Sequence, residues 1–370
     1  MHTVTRRLAL RMAAIALAAI ASVPAFAEQV GSSWREGHVF TSTNAVAGNE
    51  LLVYTPANGG ELTLATRLAT NGLGTGAGLG SQGAVTLSGD GRHLFVVNAA
   101  SNTVSTFAVG DSGITLTSVV DSGGLRPTSV TEHDGLVYVL NAAGDGNVTG
   151  FRNHRGELRP LHNSSRGLSA ATGTAPAQVG FGSDGEVLVV TERGTQRITS
   201  FPVRRDGTLG TAVITPSSGA VPFGFAFDRR DHLIVSEAAG SAASSYRFDE
   251  RSAVPMLLSA SVANGEAAAC WVAVTPNGKY AYTANAGTSS LSSYRIARSG
   301  QIALVNSKAG STGANAGALD IAVSPDGHRL YALASRAPQV VSFRIEPDGN
   351  LTTLGAGTGL PLGSAGMAAN

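Results

Sequence analysis

The sequence predicts an all-β fold, a seven-bladed β-propeller. It repeats one unit: an apolar stretch, a tight turn built on Asp-Gly or its equivalent, and a second β-rich stretch with a polar end, as in Ala84–Phe107, Val272–Tyr294 and Ile321–Phe343. The turn positions lie 44 to 50 residues apart, at Gly91, Gly135, Gly185, Arg230, Gly278 and Gly327. A propeller blade takes roughly 40–50 residues, whereas leucine-rich, ankyrin and tetratricopeptide repeats are shorter. The repeat length of 44 to 50 residues therefore favours propeller blades over these shorter repeats.

The number of blades follows from counting two kinds of strand. Second strands are predicted at His38–Thr41, Leu94–Val97, Leu136–Leu140, Val187–Val190, Leu233–Val235, Tyr280–Thr283 and Leu330–Leu333. Inner strands are predicted to begin at Gly83, Thr128, Ala177, Phe223, Trp271 and Leu319. The missing inner strand is supplied by the C-terminal stretch Leu362–Ala368, which echoes Leu79–Val85. We therefore expect the C-terminal strand to pair into the first blade and close the ring, which removes an exposed sheet edge.

The N-terminus reads as a signal peptide, residues 1–27, followed by a single propeller domain, residues 28–370. Arg6, Arg7 and Arg11 form a basic region, an Ala-rich apolar stretch follows, and Ala25-Phe26-Ala27 is a small-x-small cleavage site. The apolar stretch is too short to favour a membrane span, so none is expected after cleavage near Ala27. We expect a periplasmic or secreted protein, and the paired arginines leave the twin-arginine route open.

Composition excludes several classes of partner and cofactor. Without residues 1–27, 23 basic residues face 25 acidic ones, a balance that offers no footprint for nucleic acid. The single cysteine, Cys270, cannot form an internal disulfide and is predicted to be a small buried side chain. No His-x-His or Cys/His spacing points to a metal site, and no motif indicates a cofactor, so neither is expected. The Gly-rich stretch Asn71–Gly83 is interpreted as a blade connection.

The repeat motif resembles that of a known family. It consists of a Pro, then Pro/Ser-Asp/Asn-Gly, an apolar run, Asn or Glu, a Val-Ser-x-Phe/Tyr strand and a Gly-x-Leu turn. The motif resembles that of the seven-bladed lactonase-type propellers, across roughly Gly37–Asn370. That family includes bacterial 6-phosphogluconolactonase and fungal 3-carboxy-cis,cis-muconate cyclase. The resemblance implies a central active site with a Pro-Arg-His inner strand and an Asn-Glu-Leu second-strand end. Here the glutamate is kept twice, as Glu192 and Glu237, but Pro176-Ala177-Gln178 stands where Pro-Arg-His is expected.

The candidate site residues lie at strand ends and on inner strands. Lactone opening needs a base for water and a cation or hydrogen-bond donors for the developing oxyanion. We expect Glu192, Arg193 and Glu237 to be catalytic, with Glu192 as the general base. The expected substrate-binding residues are Gln178, Asn98, Asn141, Trp271, Asn285 and Arg197. Each asparagine also has a structural interpretation, as a side chain that forms hydrogen bonds with neighbouring backbone groups. Trp271 has a structural interpretation as a residue packed in the core.

Two functions from different classes stay open. The first is an exported lactonase-type hydrolase that acts on, or binds, a small lactone or carboxylate in the central channel, and it is favoured over muconate cyclisation. The second is a non-catalytic secreted propeller that serves as a binding scaffold for a protein partner, since Phe95-Val96-Val97-Asn98 followed by Thr103-Val104-Ser105 also resembles the Tyr-Val-Thr-Asn repeats of secreted propellers. A propeller fold alone does not decide between them.

Overall fold

Every secondary-structure element of this computed structural model is a β-strand in the residues it describes, 1–2, 37–249 and 252–370. The strands form seven antiparallel sheets, one per blade. Blade 1 contains β1 (Val39–Ser42), β2 (Glu50–Pro56), β3 (Leu62–Ala69) and the C-terminal β29 (Ala365–Ala369); blade 2 contains β4 (Val85–Leu87), β5 (His93–Asn98), β6 (Thr103–Gly110) and β7 (Gly113–Asp121); blade 3 contains β8 (Leu125–His133), β9 (Leu136–Ala143), β10 (Asn147–His154), β11 (Glu157–Pro160) and β12 (Arg166–Gly167). Blade 4 contains β13 (Pro176–Phe181), β14 (Val187–Glu192), β15 (Arg197–Pro202) and β16 (Val213–Pro216); blade 5 contains β17 (Pro222–Phe227), β18 (His232–Glu237), β19 (Ala242–Phe248) and β20 (Pro255–Ala263); blade 6 contains β21 (Ala269–Val274), β22 (Tyr280–Asn285), β23 (Ser290–Ile296) and β24 (Ile302–Ser311); blade 7 contains β25 (Ala318–Val323), β26 (Arg329–Ala334), β27 (Gln339–Ile345) and β28 (Leu351–Gly357).

The C-terminal strand closes the ring, as predicted. Strand β29 pairs antiparallel with β1, with Phe40 opposite Ala368, and becomes the inner strand of blade 1. It starts at Ala365 rather than at Leu362, because residues 362–364 form a turn in which Ser364 Oγ donates to the Pro361 carbonyl at 2.8 Å. Without β29, the inner edge of β1 would be unpaired.

The turns between inner and second strands all lie on one face of the ring, which we call the lower face. The upper face is where inner strands begin and second strands end. Gly91 adopts a φ of +69°, the left-handed conformation that such a tight turn needs. In blade 5 the left-handed residue is Asp231, one position beyond the predicted Arg230. A short polar side chain tolerates this conformation, and Asp231 N–H closes the turn on the Asp228 carbonyl at 3.0 Å.

Apolar side chains of adjacent blades form the core. Phe40 and Val53 of blade 1 pack against Leu94 and Val96 of blade 2, and all four are fully buried. The same arrangement recurs around the ring, so the inter-blade layers hold the domain together without a disulfide. The stretch Asn71–Gly83 connects blades 1 and 2, as predicted.

The signal-peptide prediction falls, except for its first two residues, outside the part of the chain that the structure describes. Within that part, no helix is long and apolar enough to cross a membrane.

Candidate functional site

The segment Leu79–Gly83 crosses the central channel and ties opposite blades together. The Gln82 side chain donates to the Val272 carbonyl at 2.7 Å and accepts from the Val272 N–H at 2.9 Å, on the inner strand of blade 6. The Gln82 N–H donates to the Ala177 carbonyl of blade 4 at 3.0 Å. Ser81 Oγ donates to the Thr128 carbonyl of blade 3 at 2.8 Å. The segment therefore acts as a plug held by three blades.

A cavity lies on either side of this plug. The upper cavity, about 480 Å³, is walled by Gly76–Ser81, by Trp271 of blade 6, by residues 319–320 and 335 of blade 7, and by residues 362–365. The lower cavity, about 430 Å³, is lined by the inner strands of blades 1 to 5 and 7 and opens toward the turns between inner and second strands. Asp320 touches both cavities and is the one ionisable side chain in the described lining of the upper one.

Asp320 is a buried carboxylic acid near the centre of the propeller. Its side chain is almost completely removed from water, and this burial raises the pKa of Asp320 to about 7, although hydrogen bonds from the backbone N–H groups of Gly366 and Gly83 act in the opposite direction. Burial disfavours the charged form of a carboxyl group, which explains the direction of the shift. An acid with a pKa near neutrality in a cavity is suited to proton transfer.

Asp320 is not among the residues predicted from the sequence, although the repeat carries a signal for it. The inner strands of blades 4, 6 and 7 each contain a β-bulge near Gln178, Trp271 and Asp320 respectively. A bulge re-aims the side chain at that position. Gln178 and Trp271 are predicted substrate-binding residues, and superposition of the repeats places Asp320 at the same position of blade 7.

Arg193 brings a positive charge close to the wall of the upper cavity. Its Nε donates to the Ala175 carbonyl at 3.1 Å, and its guanidinium lies 5.3 Å from the centre of the Phe223 ring. Its Nη1 lies 3.3 Å from the ideal Cβ position of Gly80, a residue of the cavity wall. Burial lowers the pKa of Arg193, and among the described residues no carboxylate lies within ion-pair distance of it. Arg193 is thus a half-buried cation free to meet an anion.

Glu192 lies in the joint between blades 3 and 4. Its carboxylate accepts hydrogen bonds from Thr195 Oγ1 and Thr199 Oγ1, each at 2.6 Å, and from the N–H of Ser169 at 3.0 Å; Ser169 Oγ also donates to it. The side chain is fully buried and lines neither cavity. The structure therefore separates Glu192 from its neighbour Arg193, whose guanidinium lies near Gly80 in the wall of the upper cavity.

Glu237 occupies the matching position of blade 5. It is buried, and Ser261 Oγ donates to its Oε2, whereas its Oε1 has no hydrogen-bond partner among the described residues. Arg197 lies opposite Glu192 in the strand register and lines neither cavity.

The three asparagines serve as ties at the ends of second strands. Asn98 donates to Ser105 Oγ at 2.8 Å and accepts from Thr70 Oγ1 at 2.8 Å, so it joins blade 2 to the loop that follows blade 1. Asn285 likewise donates to Ser292 Oγ at 2.9 Å and accepts from the Asn264 side chain at 3.0 Å. Asn141 donates to the Ser122 carbonyl at 3.1 Å.

Gln178 and Trp271 are the remaining predicted substrate-binding residues, and both lie on inner strands. The Gln178 side chain forms paired hydrogen bonds with the backbone of Phe225, at 3.0 and 2.7 Å, and lines the lower cavity. Trp271 lines the upper cavity, donates its Nε1–H to the Ser81 carbonyl at 2.9 Å, and packs on Phe223 with ring centres 5.0 Å apart. Burial raises the pKa of the nearby Cys270 to about 12, which keeps it a thiol.

Comparison with solved structures finds this propeller in several other proteins. The periplasmic gluconolactonase of Pseudomonas aeruginosa superposes with a TM-score of 0.70 at 18% identity, covering 89% of this chain and 97% of that one. A putative 6-phosphogluconolactonase of Bacteroides fragilis gives a TM-score of 0.67 at 18% identity, covering 89% and 96%. A protein of Lactobacillus plantarum gives 0.71 at 14% identity, covering 90% and 98%. At these identities, the likeness concerns the fold.

The curated proteins contain no match to this chain. The family model of the lactonase, 7-bladed β-propeller, matches residues 145–272 and 252–364, which together exceed half of the sequence. This match agrees with the seven observed blades and with the resemblance in the repeat motif. The chain therefore belongs to the seven-bladed β-propeller lactonase family.

Proposed function

We propose that this protein hydrolyses a small lactone in the upper cavity, with Asp320 as the general base and Arg193 as the group that stabilises the developing oxyanion. The observation that carries the proposal is the placement of a buried acid, whose pKa is raised to about 7, in a cavity with an unpaired arginine beside its wall at Gly80. Family membership supports lactonase-type hydrolysis at a coarse level.

The reaction needs one proton acceptor and one site of positive charge. Ionised Asp320 takes a proton from water as the water oxygen attacks the lactone carbonyl. Arg193 neutralises the negative charge that develops on the carbonyl oxygen. When the tetrahedral intermediate collapses, the ring C–O bond breaks, and protonated Asp320 returns its proton to the ring oxygen. The product is a hydroxy acid.

The test is a pH-stat assay of the purified protein against sugar, aliphatic and muconate lactones, because the acid product releases a proton. We expect Asp320→Asn to lower kcat/KM by about 100-fold or more and Arg193→Met by about 100-fold. The rate should rise with pH through about 7, as Asp320 ionises. The thermal midpoint of each variant, measured in parallel, verifies that it is folded.

Glu192→Gln is the matched comparison, since Glu192 is the rival base predicted from the sequence. Its hydrogen bonds to Thr195, Thr199 and Ser169 lead us to expect a loss of stability with kcat/KM within about threefold of the parent. Collapse of turnover in folded Glu192→Gln, with Asp320→Asn still active, would transfer the base role to Glu192.

A second candidate is a non-catalytic propeller that binds its ligand or a protein partner. The observation that favours it is the wall of the upper cavity, which is built mainly of glycine, alanine and serine. Absence of turnover on every lactone of the panel would select this candidate. For either function we propose a location outside the cytoplasm, on the basis of the signal peptide expected in residues 1–27.

A further inference from the structure

We propose that the substrates of the upper cavity are lactones that carry an uncharged aliphatic chain, with the ring at Asp320 and the chain along an apolar rim formed by Val46 and Leu362. This inference rests on the proposed lactone hydrolysis at the same cavity. It names the class of substrate that the rim and the cavity wall would accept.

The apolar rim is continuous with the cavity. Leu362 belongs to the cavity wall itself, and the neighbouring wall residue Leu79 is buried in the core. Val46, in the turn between β1 and β2, has its Cγ1 3.1 Å from the ideal Cβ position of Gly76, another residue of the wall. Val46 is 63% exposed and Leu362 is 65% exposed, so both present aliphatic surface to solvent beside the opening. Burial of this surface by an alkyl chain would be favourable.

The rim is held in a fixed shape by backbone contacts. Asn44 donates its side-chain N–H groups to the carbonyls of Ala77 at 2.7 Å and Gly363 at 3.2 Å, and so joins the Gly-rich segment to the turn before β29. A Cβ at Gly363, whose φ is +88°, would lie 2.6 Å from the Gly76 carbonyl oxygen. Only glycine permits this approach. The apolar groups therefore stand on a preformed wall, which lowers the entropy cost of binding.

The charges near the cavity disfavour a phosphorylated lactone. Among the described residues that line the cavity there is no Lys, Arg or His, and the one ionisable group is an acid. Arg193 reaches the wall at Gly80, while Arg336, at the edge, is held by the carbonyls of Asn315 and Ala286 at 2.8 and 3.0 Å. A phosphate dianion in the cavity would thus meet the carboxylate of Asp320, whereas the cations Arg193 and Arg126 stay outside its lining. An uncharged aliphatic chain is not repelled by the carboxylate and loses no hydration of a charge on entering the cavity.

The experiment compares γ-butyrolactone, γ-octalactone, γ-decalactone, glucono-δ-lactone and its 6-phosphate as substrates. We expect kcat/KM to rise about two- to fourfold for each methylene that the rim removes from water, and to be lowest for the phosphorylated lactone. Leu362→Asp should reduce the ratio of kcat/KM between γ-decalactone and γ-butyrolactone by about tenfold. The matched control is Leu304→Asp, on the outer strand β24 and 37% exposed, which should keep the ratio of the parent.

A binding measurement separates this inference from the proposed hydrolysis. In a Trp34→Phe background Trp271 is the one remaining tryptophan, and its fluorescence reports on the cavity that it lines. Cyclopentanone, 2-butylcyclopentanone and 2-hexylcyclopentanone have the shape of the lactones but no ester bond to hydrolyse. Affinity that rises with chain length and is lost in Leu362→Asp supports the inference, even if no lactone is turned over. Turnover that is independent of chain length, or fastest with the phosphorylated lactone, overturns it and leaves the hydrolysis standing.

Discussion

Replacement of Asp320 with Asn should make the stability of the protein less dependent on pH, by an amount that the burial of this carboxyl sets. In the folded protein the pKa of Asp320 is about 7, against an ordinary value of 3.8. Below pH 3.8 the carboxyl is protonated in both states. Between the two values the unfolded chain ionises while the folded one keeps its proton, so the folded state loses stability as the pH rises. The loss ends near pH 7, where the folded carboxyl ionises too.

The magnitude follows from the size of the shift. Each pKa unit corresponds to about 1.4 kcal/mol, so a rise of about three units makes the free energy of unfolding fall by about 4 kcal/mol between pH 4 and 7. The Asp320→Asn variant lacks this titration. It should also carry an offset that does not vary with pH, because the amide N–H₂ of Asn cannot accept the hydrogen bonds that Gly366 and Gly83 donate to the carboxylate.

The assay is urea unfolding of both proteins at half-unit steps from pH 4 to 8. The free energy of unfolding of the variant minus that of the parent should increase by a few kcal/mol with pH and level off above about 7. Asp145→Asn, at an exposed turn of blade 3, is the control and should show a far smaller change. Parallel pH profiles for the parent and Asp320→Asn would refute the reasoning, since they would mean that the buried carboxyl titrates as it does in the unfolded chain.

Two further predictions concern the ends of the chain. Deletion of Leu360–Asn370 removes β29 and leaves the inner edge of β1 unpaired, so the thermal midpoint in calorimetry should fall by more than about 10 °C. Leu362→Ser, an exposed position in the same segment, is the control and should leave the thermal midpoint unchanged. An unchanged midpoint in the deletion variant would contradict the closure of the ring by β29. Expression in a Gram-negative host should yield a periplasmic protein that begins at Glu28 by intact mass, and a protein that stays cytoplasmic at full length would argue against the signal peptide. Export that stops when Arg6 and Arg7 are changed to Lys would identify the twin-arginine route.

Much of the fold could be predicted because the same sequence pattern recurs in every blade of a propeller. Each blade carries its own turn, as at Gly91, and its own buried second strand, so an error in one copy is corrected by the others. Blade 5 shows this: the assignment of Arg230 instead of Asp231 shifted one turn by a residue without changing the count of blades. The closing strand was recognisable because Leu362–Ala368 repeats the pattern of Leu79–Val85.

The candidate site was less predictable because it depends on the direction of each side chain. Glu192 and Arg193 are neighbours in sequence, but the strand end sends the carboxylate to Thr199 in the blade joint and the guanidinium toward Gly80 in the wall of the upper cavity. Asp320 was missed because an acid on an inner strand is unremarkable until the bulge of β25 places it beside Gly83 and Gly366. The contacts of Asp320 with Gly83 and Gly366 join residues more than 40 positions apart in the sequence.

The sequence by itself determined the period, the number of blades, the closing strand and the resemblance to lactonase propellers, since these depend on local patterns repeated along the chain. Tertiary structure decided the course of the plug at Gln82, the two cavities on either side of it, and the burial of Asp320. The physical reason is that the inner strands of all seven blades converge on the channel. The charge, solvent exposure and hydrogen bonds of a residue there are set by blades that are distant in the sequence.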